Sequence, residues 1–396
     1  MYHRPIILLI RKPVLFSITI VIMLVIIGTG TLKFKAALSQ SLKNKVIVID
    51  PGHGGADPGA HNTGVKEKDV NLDVSLRLRK VLESEGCTVI LTRDVDKDFY
   101  NPGQYQGRAA KRIDLNHRIS LASSNNADLF ISIHANSFPR RNTYGMETYY
   151  HQKSPSGKIL AENIQEHLTQ LQLDNKRKAK AGDYYLLNQT KMPAVIVEVG
   201  FISNPRERKL LLTGDYRDSI AKAIADGIKS YFETPKEIRE ISEGIQSVTS
   251  QEGPAPISKD TYKVYFSKAS LDGLSPEERS FNPSVWNKLT LTQKADLILK
   301  DLIKGPTSPD HLSTLSPKTK VLSVSLNNNI LNLNFSKDIR ENFSGSALEE
   351  DIAVKSIVWS MTQLPGVKGV TISIEGNYGD SIGGHVIFDH MLNPRS

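Results

Sequence analysis

Between Val46 and about Phe232, short apolar runs alternate with stretches of helical periodicity. Val46 to Ile49, Thr88 to Leu91, Leu129 to Ile133 and Ala194 to Val199 are nearly continuous apolar segments of strand length, the composition of strands buried on both faces. Met146 to Tyr150 reads as a further strand. Between these runs, Asp69 to Leu82 sets Val70, Val74, Leu78 and Val81 or Leu82 on one helical face. Ile113 to Ala122, Ser156 to Leu171 and Tyr216 to Tyr231 are also helical in pattern. This alternation predicts an α/β domain with a mainly parallel sheet and flanking helices. In such sheets the loops at the carboxyl ends of the strands gather on one edge, where sites are built.

A chain of 396 residues is long for one domain, and 39% hydrophobic with 23% charged residues is ordinary for folded protein. From Thr234 to about Asp260 the composition shifts to Glu, Ser, Lys, Gln, Gly and Pro, as in a linker over residues 233–260 that follows the α/β domain at 45–232. Within 261–390 a smaller α+β domain is expected. Its strands are Tyr262 to Phe266, Val321 to Leu326, Ile330 to Phe335 and Val370 to Ile374, and its helices Val285 to Ile303 and Ser346 to Leu364. The turn Asn327-Asn328-Asn329 makes a hairpin of the second and third strands.

Arg4, Arg11 and Lys12 lie in a short segment, 1–12, ahead of the uncharged apolar run Pro13 to Leu32, about the length of one bilayer-spanning helix. Lys33 and Lys35 follow at once, and the surroundings of Ala36 and Ala37 make a poor cleavage site, so the run reads as a membrane anchor rather than a cleaved signal. Positive charge on both flanks barely sets the orientation; a cytoplasmic segment 1–12 with the body on the extracytoplasmic side is expected mainly from the chemistry of the residues below, and cleavage would instead make the protein secreted. The net charge of +8 suits an anionic setting such as a membrane surface or cell wall, and no nucleic-acid-binding motif accompanies it. Cys87, the single cysteine, excludes an intrachain disulfide and reads as a small half-buried hydrophobe after Gly86.

Four segments place metal-binding or acid/base residues beside these strands: His53 in Pro51-Gly52-His53-Gly54-Gly55, Glu67 at a helix start, His134 after Leu129 to Ile133, and Glu198 in Ala194 to Val199. Two histidines and a glutamate form an N,N,O donor set that suits one zinc ion with a fourth position open. A further glutamate would serve as general base. Glu198 is the sharpest signal, because an acid within an apolar strand is costly to bury without a partner or a function. Each residue also has a plain structural reading. His53 could be a turn residue, His134 a satisfied buried histidine, and Glu67 a first-turn acid beside Asp69 as helix cap. Asp50 could orient an imidazole or cap the turn. The histidines His61, His117, His151, His167, His311, His385 and His390 fit no second metal pattern and read mostly as surface residues. Arg93, Arg108, Arg112, Arg118 and the cluster Lys176-Arg177-Lys178-Ala179-Lys180 read as solvated charges, with anionic substrate as the alternative.

Over about Lys45 to Phe232 the chain resembles the zinc-dependent N-acetylmuramoyl-L-alanine amidases (Amidase_3) of bacterial cell-wall metabolism. The resemblance rests on Asp50-Pro51-Gly52-His53-Gly54-Gly55, Glu67-Lys68-Asp69, Ala127 to Asn136 and Val197-Glu198-Val199-Gly200-Phe201-Ile202-Ser203-Asn204. It implies zinc ligands at His53, Glu67 and His134, a catalytic acid/base at Glu198, no further cofactor, and peptidoglycan as substrate. Gly107 to Leu115 and Arg177 to Lys180 ahead of Tyr185-Leu186-Leu187 resemble the membrane-anchored amidases of spore cortex formation. Val264 to Gly376 is similar to the GerMN module of germination proteins, through Lys304-Gly305-Pro306, Asn334-Phe335-Ser336-Lys337 and Leu364-Pro365-Gly366-Val367. That domain carries no catalytic cluster and is expected to bind a sporulation partner. The rival expectations are a wall deacetylase, which would release acetyl rather than peptide, and a non-catalytic, membrane-tethered murein scaffold.

Overall fold

The computed structural model describes residues 42–394 apart from 101–103, 105–106, 139, 236–238, 240–256, 259, 270–272 and 344–345. The expected anchor at 13–32 and most of the expected linker lie outside the described residues, as does the side chain of Arg108. Among the described residues no helix is long and apolar enough to cross a membrane.

The first domain runs β1 (Val46–Pro51), β2 (His61–Asn62), β3 (Val65–Lys66), α1 (Glu67–Ser84), β4 (Thr88–Leu91), α2 (Gly107–Ser124), β5 (Leu129–Asn136), β6 (Glu147–Tyr150), α3 (Pro155–Leu171), β7 (Lys180–Ala181), α4 (Tyr185–Gln189), β8 (Ala194–Phe201), α5 (Pro205–Leu211) and α6 (Gly214–Glu233). Its six-stranded sheet has the order β4-β1-β5-β8-β6-β7. Strands β4, β1, β5 and β8 are parallel, while β6 runs against β8. The sheet is therefore mainly parallel, as the alternating pattern implied.

Side chains alternate across a strand. Ile47 and Ile49, Leu129, Ile131 and Ile133, and Val195, Val197 and Val199 form one apolar face against α1, α3 and α6. Val48, Phe130 and Ile196 form the other, against Leu115 of α2 and Leu186 and Leu187 of α4. At its carboxyl end this second face turns polar, because Asp50, Ser132, His134 and Glu198 continue the same alternation while remaining buried. Helix α1 starts at Glu67 with Lys66 at its cap; Asp69, expected there, lies inside the first turn instead. Cys87 is buried, as expected for a small hydrophobe.

The second domain holds β9 (Thr261–Lys268), β10 (Leu274–Ser280), α7 (Pro283–Trp286), α8 (Leu291–Lys304), β11 (His311–Leu312), β12 (Val321–Asn327), β13 (Ile330–Phe335), α9 (Asp338–Glu341), α10 (Ala347–Thr362) and β14 (Gly369–Ile374). These build two three-stranded sheets, β10-β9-β11 and β12-β13-β14. Asn328 and Asn329, with φ of 50° and 65°, supply the left-handed pair of the β12–β13 turn. The helix expected over 285–303 is two helices. Asn282 and Pro283 start a single turn, and a capping box of Thr290 with Gln293 starts α8. Apolar packing continues from Phe130 and Leu186 in the first domain to Phe266, Leu333, Ile357 and Phe388 in the second.

Candidate metal centre

The turn after β1 is held by two arginines. Arg93 donates from Nε to the Pro51 carbonyl (2.9 Å) and from Nη2 to the carbonyls of Gly52 (3.0 Å) and Lys68 (2.8 Å). Arg118 donates to the carbonyls of Pro51 and His53, both at 2.9 Å, and to Asp50 Oδ1 at 2.7 Å. Their exposures of 1% and 2% correct the expectation of solvated charges: both brace the backbone. The hydrogen bonds of Asp50 among the described residues go to Thr92, Ser132 and Arg118, from which it accepts, rather than to an imidazole. A β-carbon at Gly52 would stand 2.3 Å from the His134 ring, so only glycine lets the turn pass that imidazole.

The four expected site residues converge. His53, at φ 63°, places Nδ1 2.8 Å from Asp57 Oδ2 and Nε2 3.2 Å from Glu67 Oε1. His134 Nδ1 lies 2.9 Å from the same Glu67 oxygen. A zinc ion with bonds near 2.0–2.1 Å in a tetrahedral set separates neighbouring donor atoms by roughly 3.3 Å, so this spacing fits one ion. His53 Nε2, which faces Glu67 Oε1 at 3.2 Å without making a well-aligned hydrogen bond to it, and Glu198 Oε2 are buried polar atoms with no hydrogen-bond partner in the described protein. Native interiors seldom leave such atoms unsatisfied. The chemistry of the donor set and the orphaned imidazole nitrogen both suit zinc. In register, His134 of β5 stands beside Glu198 of β8, and Glu198 beside Glu147 of β6.

The electrostatics divide these groups. Burial opposes charge on His53, but Asp57 and Glu67 together outweigh it and raise its pKa to about 9. Burial dominates at His134 and lowers it to about 4. The two imidazoles overcome the burial of Glu67 and hold it well below the usual carboxylate range. Glu198 is pushed well above that range, first by burial and then by the charge of Glu67.

Other residues of the site gave no signal in the sequence. Asp57 fixes the His53 tautomer and also accepts from Lys111 Nζ at 2.7 Å. Glu147, fully buried next to Glu198, accepts from the Tyr149 hydroxyl at 2.7 Å and pairs with Arg177 (3.1 Å) and Lys180 (2.7 Å). Two members of the basic cluster therefore turn inward rather than into solvent. His385, expected at the surface, stands with His53 and His134, with donor atoms all within 4.8 Å of one another. A cavity of about 930 Å³ adjoins these groups, lined by His53, Glu67 and Lys111 and by Arg340 and His385 of the second domain.

Residues 47–230 match the family described as N-acetylmuramoyl-L-alanine amidase, and residues 263–380 match Germane, described as sporulation and spore germination. The germination-specific N-acetylmuramoyl-L-alanine amidase of Bacillus subtilis is 40% identical over 196 residues, covering 49% of this chain and 82% of that protein. The N-acetylmuramoyl-L-alanine amidase LytC of the same organism is 38% identical over 49% of this chain and 38% of its own length. Among solved structures, the CwlD amidase from Clostridioides difficile in complex with the GerS lipoprotein is 40% identical, covering 48% of this chain and 100% of that one, with a TM-score of 0.47.

Proposed function

Because the chain belongs to the N-acetylmuramoyl-L-alanine amidase family and carries a Germane domain after the amidase domain, we propose that it is a zinc amidase acting on spore-cortex peptidoglycan, with His53, Glu67 and His134 as metal ligands and Glu198 as acid/base. The reaction is hydrolysis of the amide between the lactyl group of muramic acid and L-alanine. The observation that carries the site assignment is one Glu67 oxygen between two imidazole nitrogens, at 2.9 and 3.2 Å, with Glu198 in register beside His134.

When bound, zinc supplies a Lewis acid that polarises the scissile carbonyl and makes water a stronger nucleophile. The chain's own residues do the rest. Asp57 and Lys111 keep the His53 ring in one tautomer, with Nε2 toward Glu67. Arg93 and Arg118 fix the turn that carries it. Glu198 takes a proton from the attacking water and returns it to the alanine nitrogen as the amide breaks. Lys111 and Arg340 line the cavity, each paired with an acid of the same lining, Asp57 at 2.7 Å and Asp380 at 2.9 Å.

The same reading puts the catalytic body outside the cytoplasmic membrane, on an N-terminal anchor, with a sporulation protein as partner of the Germane domain. The apolar run 13–32 and the family of the second domain support it. Incubating the full-length chain with zinc and purified cortex murein, followed by mass analysis, tests the reaction. Free peptides beginning with L-alanine, absent with Glu198→Gln, are expected. Loss of acetyl instead would make it a deacetylase, and intact murein with zinc bound would favour the scaffold.

A further inference from the structure

The second domain reaches into the amidase centre through the loop after β14. Its core is tied to the first domain by the His385 carbonyl, which accepts from Tyr185 N at 2.9 Å, and by Asp389, which pairs with Arg112 at 3.1 Å. The loop fits closely. A β-carbon on Gly384, at φ 94°, would stand 2.9 Å from Lys111 Cε, and one on Gly383 would stand 2.9 Å from Glu350 Oε2. Only a Gly-Gly pair passes between the amidase wall and α10 in this way.

The loop delivers an imidazole. The His385 ring centroid lies 5.5 Å from that of His53 and 5.7 Å from that of His134, edge-on to both. Its Nδ1 is 3.1 Å from Glu350 Oε2, an oxygen that also accepts the His385 backbone N–H at 2.7 Å. Glu350 is fully buried. His385 Nε2 is buried and has no hydrogen-bond partner. An imidazole with one nitrogen on a carboxylate and the other bare, facing two further imidazoles, has the arrangement of a metal ligand with its orienting carboxylate. A histidine there for packing alone would leave that nitrogen unsatisfied at a cost. Residues 383–385 lie beyond both matched regions, 47–230 and 263–380.

We propose that His385 is an additional ligand of the catalytic metal, entering the coordination position left open by His53, Glu67 and His134, so that the chain caps its own active site. The inference rests on the zinc reading above. Three protein ligands with one open position are the catalytic form of a zinc site, whereas four make it closed. In the capped form Glu198 is 1% exposed and the fourth coordination position is taken by the His385 imidazole, although the cavity lined by His53 and Glu67 remains beside it. Turnover then requires the 383–385 loop to withdraw, with Glu350 holding the imidazole while the cap is closed.

The test loads the full-length chain with one equivalent of zinc and counts imidazole ligands by X-ray absorption at the zinc edge. Three imidazoles in the wild type and two in His385→Ala are expected. Competition with a chromophoric chelator should show zinc held about tenfold or more weakly in the variant. At saturating zinc, His385→Ala should digest murein several-fold faster. Two imidazoles in the wild type would overturn the proposal, and that count does not depend on how the variant folds. Zinc held by two imidazoles would leave the proposed function standing; no zinc bound at all would overturn both.

Discussion

Glu198 sits in the middle of an apolar strand with one carboxyl oxygen unpartnered, its pKa raised by burial and then by the neighbouring charge of Glu67. Glutamine preserves its size but cannot take up a proton. Glu198→Gln should therefore lower kcat by about 10²–10⁴-fold with zinc content unchanged, checked by steady-state assay and metal analysis. Asp57 acts one step further out, through His53. Asp57→Asn should weaken zinc by about 10–100-fold, read by chelator competition, while the metal-free fold persists by circular dichroism. His134 and Glu198 were legible because each ends or interrupts an apolar run, whereas His53 in its glycine-rich turn and Glu67 at a helix start were legible only in their company. Asp57 was not, because in Ala56-Asp57-Pro58-Gly59 it has the appearance of a turn residue. Lys111, Glu147 and His385 acquire their roles only where distant segments meet, and no local spacing announces that.

Among the elements, the central parallel strands β1, β5 and β8 were legible almost end to end, since burial on both faces leaves few polar positions to blur the pattern. Strand β10 was not. Leu274-Ser275-Pro276-Glu277-Glu278-Arg279-Ser280 is polar and contains a proline, which a sheet tolerates only on an edge such as the one β10 occupies. The break between α7 and α8 was also missed, because Trp286 and Leu291 keep a helical apolar rhythm across it while Thr290 restarts the helix with its own cap. Thr290→Ala removes that hydroxyl from the Gln293 N–H and should destabilise the second domain by about 1 kcal/mol, measured by denaturant unfolding.

For the molecule as a whole, the joint between domains is sensitive to pH. His390 lies between Asp183 of the first domain and its neighbour Asp389. The Asp183 carboxylate 3.6 Å away, and then the hydrogen-bonded Asp389, raise its pKa to about 9 against burial. A raised folded-state pKa contributes stability that is complete below the unfolded value of about 6.5 and is lost as the pH climbs through about 9. The metal-free wild type should therefore melt above His390→Gln at pH ~6, with the gap closed at pH ~10. Zinc acts in the other direction. At 100 times its Kd, a ligand bound only by the native state adds about 2.7 kcal/mol, so chelation should lower the melting temperature. The joint also settles how strong the His385 contact has to be. An imidazole carried on the same polypeptide reaches its target at an effective concentration on the order of mM, so a weak bond suffices to keep the site closed at rest. Such a latch yields to a rival that arrives at comparable local density, and a solid murein mesh presents its stem peptides in just that way. Enzyme and wall would then be matched by crowding at a surface, with little hydrolysis of stray soluble fragments.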